Sequence, residues 1–353
     1  MPMPTIFSAQ IRHFEYYSTV VDNIQEQTRL GGNDYILGLS QFNVNSQNIQ
    51  LSFSWLANSF ASNQVLAQKC CNFVLKSRPF LINFAPNNRL EWLDVAYRAS
   101  QLIQDNATQL TIILEMGSAY WFAGNYSYAV KLASQVINLY KAKYDESILA
   151  TAYGLIGLAK SDIGDTNGAI EYLHKALLIF KEDKQRSIYL PILGKCYDYT
   201  GNVPSALSAY KESLLLAHKA GDLRNKADII GNIGISYSRM GNKRKSLHLF
   251  FYALKLARRV YDKRGESNQW INMANVFAKM GELRKADLCI NKALPLCVEN
   301  QNLKGKFKCN LVLFRCSLYK KDFFSALQYI KIIYQLAKQL NIFRNYRKVL
   351  RYI

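Results

Sequence analysis

The sequence predicts an all-α fold, an α–α superhelix of stacked antiparallel helix hairpins. Three observations carry this expectation. Small residues recur in a fixed register along most of the chain. Apolar residues between them recur at three and four residues, the period of one helix face. Pro is scarce, 7 in 353 residues, so little interrupts helix propagation. The register is seen by aligning the small residue of a first helix, the residue of the following turn and the small residue of the second helix. The triplets are Gly117, Gly124, Ala129; Gly157, Gly164, Ala169; Gly194, Gly201, Ala206; Gly234, Gly241, Ser246; and Ala274, Gly281, Ala286. A sixth, Phe314, Lys321, Ala326, is degenerate. Spacing within each triplet is seven and then five, and first positions step by 40, 37, 40, 40 and 40 residues. Small residues let two helices approach closely, and large ones such as Phe250 fill the remaining gaps.

Taken in order, residues 7–30 place Phe7, Ile11, Phe14, Tyr17, Val20, Val21 and Ile24 at helical spacing. Gly31-Gly32 is expected to stop that helix, with Asn33 or Asp34 capping the next. Residues 34–60 read as one or two further helices. Residues 63–84 and 88–105 form another hairpin, in which Pro79 is expected to bend or end the first helix near Arg78. The sequence thus divides into an N-terminal helical segment, 1–107, whose last hairpin is a degenerate cap; six repeats over 108–340; and a basic tail, 341–353, expected to cover the final hairpin. Stacks need such ends because an inner repeat leaves an apolar face bare. Pro204 falls just after the turn of the third repeat, where a first-turn Pro is tolerated, and Pro191 is expected near the start of a first helix for the same reason.

The register resembles that of the tetratricopeptide-repeat family. Its motif places Trp, Leu, Gly and Tyr on the first helix and Ala, Phe and Ala on the second. Trp270, Met273, Ala274 and Phe277, followed by Ala286, Ile290 and Ala293, follow that pattern; so do Leu193, Gly194, Tyr197, Ala206 and Tyr210. The family period is about 34 residues, whereas the prevailing step here is 40. Longer helices are therefore expected, as in the long-repeat subgroup. The phrase RHFEYY, with the GGNDYILGLSQF stretch after it, resembles the segment that opens the repeat region in bacterial signal-transducing (STAND-type) ATPases. The sequence has no Gly-rich loop followed by Lys-Ser or Lys-Thr, so that resemblance brings no nucleotide-binding motif with it.

Composition narrows function further. No apolar run is long enough to span a membrane, and the start lacks the basic head and apolar core of a signal peptide. The seven cysteines show no metal or redox spacing, and they read as reduced core residues of a cytoplasmic protein. His13, His174, His218 and His248 are scattered, and no nucleophile elbow, zinc signature or dinucleotide fingerprint is present. Neither catalysis nor a cofactor or metal is expected. Charge is polarised. Residues 241–353 hold 24 Lys and Arg against 6 Asp and Glu, whereas residues 1–240 hold 21 against 19, so nearly all of the net +20 lies in the last third. Such asymmetry speaks to partners rather than fold.

The resemblance implies a groove lined by first helices. Asn232, Ile235 and Arg239 share one face of the fourth repeat, and Asn272, Asn275 and Lys279 the same face of the fifth. Lys308 and Arg315 follow in the sixth. Side-chain amides there can both donate to and accept from a peptide backbone; alternatively they tie adjacent hairpins together. The pattern departs from the carboxylate clamp that binds chaperone tails, because Val312 stands where its second basic residue would be. A basic surface is formed by Arg258, Arg259, Lys263, Arg264, Lys304, Lys306, Arg344 and Arg347. The expected function is a protein–protein interaction scaffold whose groove holds an acidic protein or peptide. The alternatives are a regulator working with a separate ATPase or transcription factor, and a nucleic-acid-associated protein, which would lack any recognised reader motif. The oligomeric state is left open.

Overall fold

A computed structural model describes residues 5–30, 32–84, 86–300 and 302–340. Among them are sixteen α-helices, one single-turn 3₁₀ helix and no strand. The chain is a tetratricopeptide-like helical solenoid by fold, in two compact units that divide at Ala159 and Lys160.

The first unit holds α1 (Ile6–Leu30), α2 (Gly32–Ser59), the 3₁₀ turn Phe60–Ser62, α3 (Gln64–Phe84), α4 (Pro86–Leu102), α5 (Asn106–Phe122), α6 (Tyr126–Leu139) and most of α7 (Glu146–Ile163). Its core gathers Phe14, Val21, Ile24, Leu56 and Phe73 around Trp92, which stacks on Phe53 with ring centroids 3.9 Å apart. Residues 32–59 form one helix. Helix α3 runs through Pro79 instead of ending at Arg78. A mid-helix Pro removes one backbone hydrogen bond, and α3, which packs against α1, α2 and α4, continues past it.

The second unit holds the end of α7, then α8 (Thr166–Ile179), α9 (Asp183–Tyr199), α10 (Val203–Lys219), α11 (Leu223–Arg239), α12 (Lys243–Arg259), α13 (Lys263–Lys279), α14 (Leu283–Glu299), α15 (Leu303–Tyr319) and α16 (Phe323–Gln339). Helices α9 to α16 are each 17 residues long. Two such helices with two three-residue turns account for the 40-residue step. The single step of 37 arises because α8 has only 14 residues. Pro204 lies in the first turn of α10, as expected. Pro191 does not lie near a helix start: it is the ninth residue of α9, and Pro295 likewise sits inside α14. In both, packing between neighbouring helices outweighs the lost hydrogen bond.

Turn chemistry repeats with the hairpins. Asn202, Asp222, Asn242, Asp262, Asn302 and Asp322 each cap the helix that follows, accepting a hydrogen bond from the backbone N–H three residues on. This is why the carboxylates of this region cluster in turns. Gly241 has φ +83°, the left-handed conformation that ends α11. Gly234 serves contact instead: a methyl group there would stand 2.7 Å from the Phe250 ring. All seven cysteines are buried and free. None of the described helices is long and apolar enough to cross a membrane. The tail 341–353, with Arg344 and Arg347, lies outside the described residues.

Candidate functional site

The first helices of the second unit, α9, α11, α13 and α15, bring one set of register positions together. At the position after the packing residue stand Lys195, Ile235, Asn275 and Arg315; two before it, Ile192, Asn232, Asn272 and Val312; five after it, Tyr199, Arg239, Lys279 and Tyr319. Asn232, Asn272 and Asn275 are half-buried, whereas Arg239 and Lys279 are exposed.

The asparagines divide in role. Asn275 Oδ1 accepts a hydrogen bond from Arg315 Nη1, so it ties α13 to α15. Asn272 Nδ2 donates a long hydrogen bond of 3.4 Å to Gln269 Oε1 in its own helix. The Asn232 side chain has no hydrogen-bond partner among the described residues, and its backbone carbonyl accepts from the Ser236 hydroxyl. Asn232 and Asn272 thus keep amide groups available, and Asn275 is a hairpin tie.

Two cationic clusters flank these amides. At the C-terminal ends of the first helices, Arg239, Lys243, Lys279 and Arg315 converge. Arg239 stacks over Tyr199, with its guanidinium 4.6 Å from the ring centroid, and Lys243 Nζ lies 3.4 Å from the Lys279 carbonyl. Loss of solvent, then the charges of Arg315, Arg239 and Lys243, push the Lys279 ammonium below its usual pKa. Toward the N-terminal ends of α13 and α15, Lys308 meets Lys304 and Arg264, and Lys195 from the second half of α9 faces it as well. Lys308 keeps open surface, but it stands within the groove wall, where protein displaces much of its solvent. That desolvation, followed by the charges of Lys195, Lys304 and Arg264, holds it down to about 8. Lys304 Nζ reaches Asp162 Oδ1 at 3.9 Å. Asp228, one turn before Asn232, is pushed up to about 6 by desolvation and then by the neighbouring Asp262.

Other members of the basic surface are already neutralised. Arg258 donates to Glu266 at 2.8 Å and lies 5.5 Å from the Trp270 ring centroid, and Lys263 pairs with Glu299. The structure therefore brings Arg264 and Lys304 to the groove and spends Arg258 and Lys263 on neighbours. Arg259 and Lys306 join neither cluster. Sequence reasoning missed Lys195, Asp162 and Asp228. Lys195 was within reach of the register, being the equivalent of Asn275; Asp162 was not, because its approach to Lys304 spans 142 positions. No group of described His, Cys, Asp or Glu residues could hold a metal ion.

The family model for the tetratricopeptide repeat matches residues 150–183. No curated protein matches the chain. Among solved structures, the chain is similar to the apo form of the quorum sensor NprR from B. thuringiensis, with a TM-score of 0.65 at 15% identity over 86% of this chain and 87% of that one. A Rap protein complexed with competence and sporulation factor gives a TM-score of 0.63 at 14% identity, covering 96% and 94% of the two chains. A STAND protein with a tetratricopeptide-repeat sensor from Pyrococcus horikoshii gives 0.54 at 17% identity over 83% of this chain and 46% of that one. At these identities the likeness is one of fold.

Proposed function

We propose that this tetratricopeptide-repeat chain is an interaction protein that holds an acidic peptide segment of a partner in the groove of α9, α11, α13 and α15. The observation that carries the reading is a pair of amides on adjacent first helices between two cationic clusters: Asn232, whose side chain has no partner among the described residues, and Asn272, held only by a long bond of 3.4 Å to Gln269. Amides that donate and accept suit a peptide backbone, and flanking cations favour acidic side chains on it. A cytoplasmic, non-enzymatic role accords with this reading. Within it, a sensor that answers to a peptide is favoured over a passive scaffold. Neighbours of the same fold include a Rap protein complexed with a competence and sporulation factor and a Rap conjugation regulator in complex with the Phr* peptide.

The test is panning of a random heptapeptide library on the immobilised chain, followed by affinity measurements on the best binder. Enrichment of acidic sequences is expected. The double change Asn232→Ala and Asn272→Ala should weaken that binder about 30-fold, from about 1 kcal/mol per lost hydrogen bond, with little change in melting. Asn275→Ala should instead lower the melting temperature. Absence of any enriched peptide, or unchanged affinity in the double variant, refutes the groove reading.

A further inference from the structure

A cavity of about 240 Å³ opens at the start of α15, lined by Arg264, Asn300, Asn302, Leu303, Lys304 and Leu340. Its chemistry is one-sided. Arg264 and Lys304 occupy the same register position on α13 and α15, ten residues before the packing position. The loop between α14 and α15 adds Asn300, whose Oδ1 accepts from the Asn302 backbone N–H at 3.1 Å. Its Nδ2 is fully buried and has no hydrogen-bond partner among the described residues. A buried donor left without an acceptor costs free energy. The N-terminus of a 17-residue helix adds a field that favours negative charge.

The surrounding charges are incompletely balanced. Lys304 meets Asp162 only at 3.9 Å, the limit of an ion pair. Among the described residues neither Arg264 nor Lys308 has an ion-pair partner. Lys308 lies one turn deeper on α15 and faces Lys195 of α9, Arg264 of α13 and Cys297 of α14. Four cations thus converge against two described carboxylates, Asp162 at the limit of an ion pair and Asp228 near Arg264, which leave the site net positive.

We propose that this cavity is a carboxylate subsite at the edge of the groove. An acidic side chain of the bound peptide is received there by Arg264 and Lys304, with Asn300 in the cavity wall and Lys308 and Lys195 leading inward. The proposal rests on the groove reading and adds to it a place and a chemistry. The chain's own carboxylates argue for a peptide over nucleic acid. Asp162 and Asp228 interrupt the basic run, and a continuous phosphate backbone would meet both. A cavity of this size admits one acidic side chain. A carboxylate there would favour the charged form of Lys308, whose ammonium is now held down by its neighbours, so binding should take up a proton and strengthen as pH falls.

Labelled hexaglutamate and hexaglutamine peptides are the probes, measured by fluorescence anisotropy on the full chain. Hexaglutamate should bind more tightly. Lys304→Gln with Lys308→Gln should weaken it at least about tenfold, or ~1.4 kcal/mol, and leave hexaglutamine unchanged. Lys285→Gln with Lys331→Gln, outside the groove and equal in charge, should cost far less. Affinity should rise from pH 9 to pH 7, and Lys308→Arg should retain binding while flattening that slope. Equal affinity for the two peptides, or equal loss in the control pair, overturns the subsite. If both peptides then depend on Asn232 and Asn272, the groove reading survives alone; if neither peptide binds, both readings fail. Tighter binding of a 12-nucleotide single strand with the same dependence on Lys304 and Lys308 also overturns it, in favour of nucleic acid.

Discussion

Gly234 and Phe250 show how single residues set the hairpin geometry. The 2.7 Å clearance at Gly234 leaves no room for a side chain on α11 beside the Phe250 ring. Gly234→Leu is therefore expected to destabilise the chain by about 1–3 kcal/mol through overpacking, whereas Lys243→Leu, half-buried in the first turn of α12 with no tight contact to fill, should cost less. Wild-type melting in Gly234→Leu would show that the register is misassigned. Lys308 illustrates a residue held against stability. Its pKa is lowered to about 8 from an ordinary 10.5, so its charged form is disfavoured on folding. The penalty is complete below pH 8 and is relieved as pH rises toward the unfolded value, because the unfolded chain then holds the extra proton. Lys308→Met should melt higher than wild type at pH 7, and the gap should narrow between pH 8 and 10. A gap independent of pH would refute the electrostatic origin.

Elements are joined by buried polar groups as much as by apolar packing. In the first unit, Glu115 of α5 accepts from Arg89 of α4 at 3.1 Å and from Arg78 of α3 at 2.8 Å. Arg89 is 3% exposed, so it depends on that carboxylate. Removing one partner of a buried pair costs roughly 3–5 kcal/mol, because a charge is left uncompensated. Glu115→Ala should lose about that much in denaturant unfolding, and Arg78→Ala, whose side chain is 55% exposed, no more than about 1 kcal/mol. Comparable losses would contradict the assigned burial. In the second unit, Asp198 Oδ2 of α9 accepts from Tyr210 of α10 at 3.1 Å and from Ser236 of α11 at 2.7 Å. One carboxylate thereby binds a hairpin to its successor.

At the scale of the whole molecule, charge and repeat architecture act separately. The net +20 resides in the last third, yet cations there differ in use: some are paired on the surface and some are gathered at the groove. Affinity for the best acidic heptapeptide should fall between low and physiological salt, where exposed charges are screened beyond about 8 Å. Two variants of equal net charge separate the uses. Arg264→Gln with Lys308→Gln should weaken binding, while Arg258→Gln with Lys263→Gln, whose cations serve Glu266 and Glu299, should leave it nearly intact. Binding indifferent to both salt and the first pair would refute an electrostatic groove.

The helix-hairpin architecture was legible in the sequence alone, because a 40-residue period and the seven-and-five spacing are local properties of each hairpin: close helix approach needs Gly or Ala wherever it occurs. The same local logic placed Gly241 in its turn and the groove positions on one face. What the sequence could not decide depends on neighbours far along the chain. Pro79 read as a bend or end and Pro191 as lying near a helix start, because a lone helix loses a hydrogen bond at Pro; both stand inside helices that pack on their neighbours. Asn275 read as a binding residue like Asn272, yet Arg315, forty positions on, claims its amide oxygen. Lys304 meets Asp162 across 142 positions, and the unsatisfied Asn300 amide acquires meaning only beside Arg264. Period and face are written in local sequence; which charges are paired and which remain for a partner is settled only when the hairpins stack, since ion pairing is a matter of distance in space.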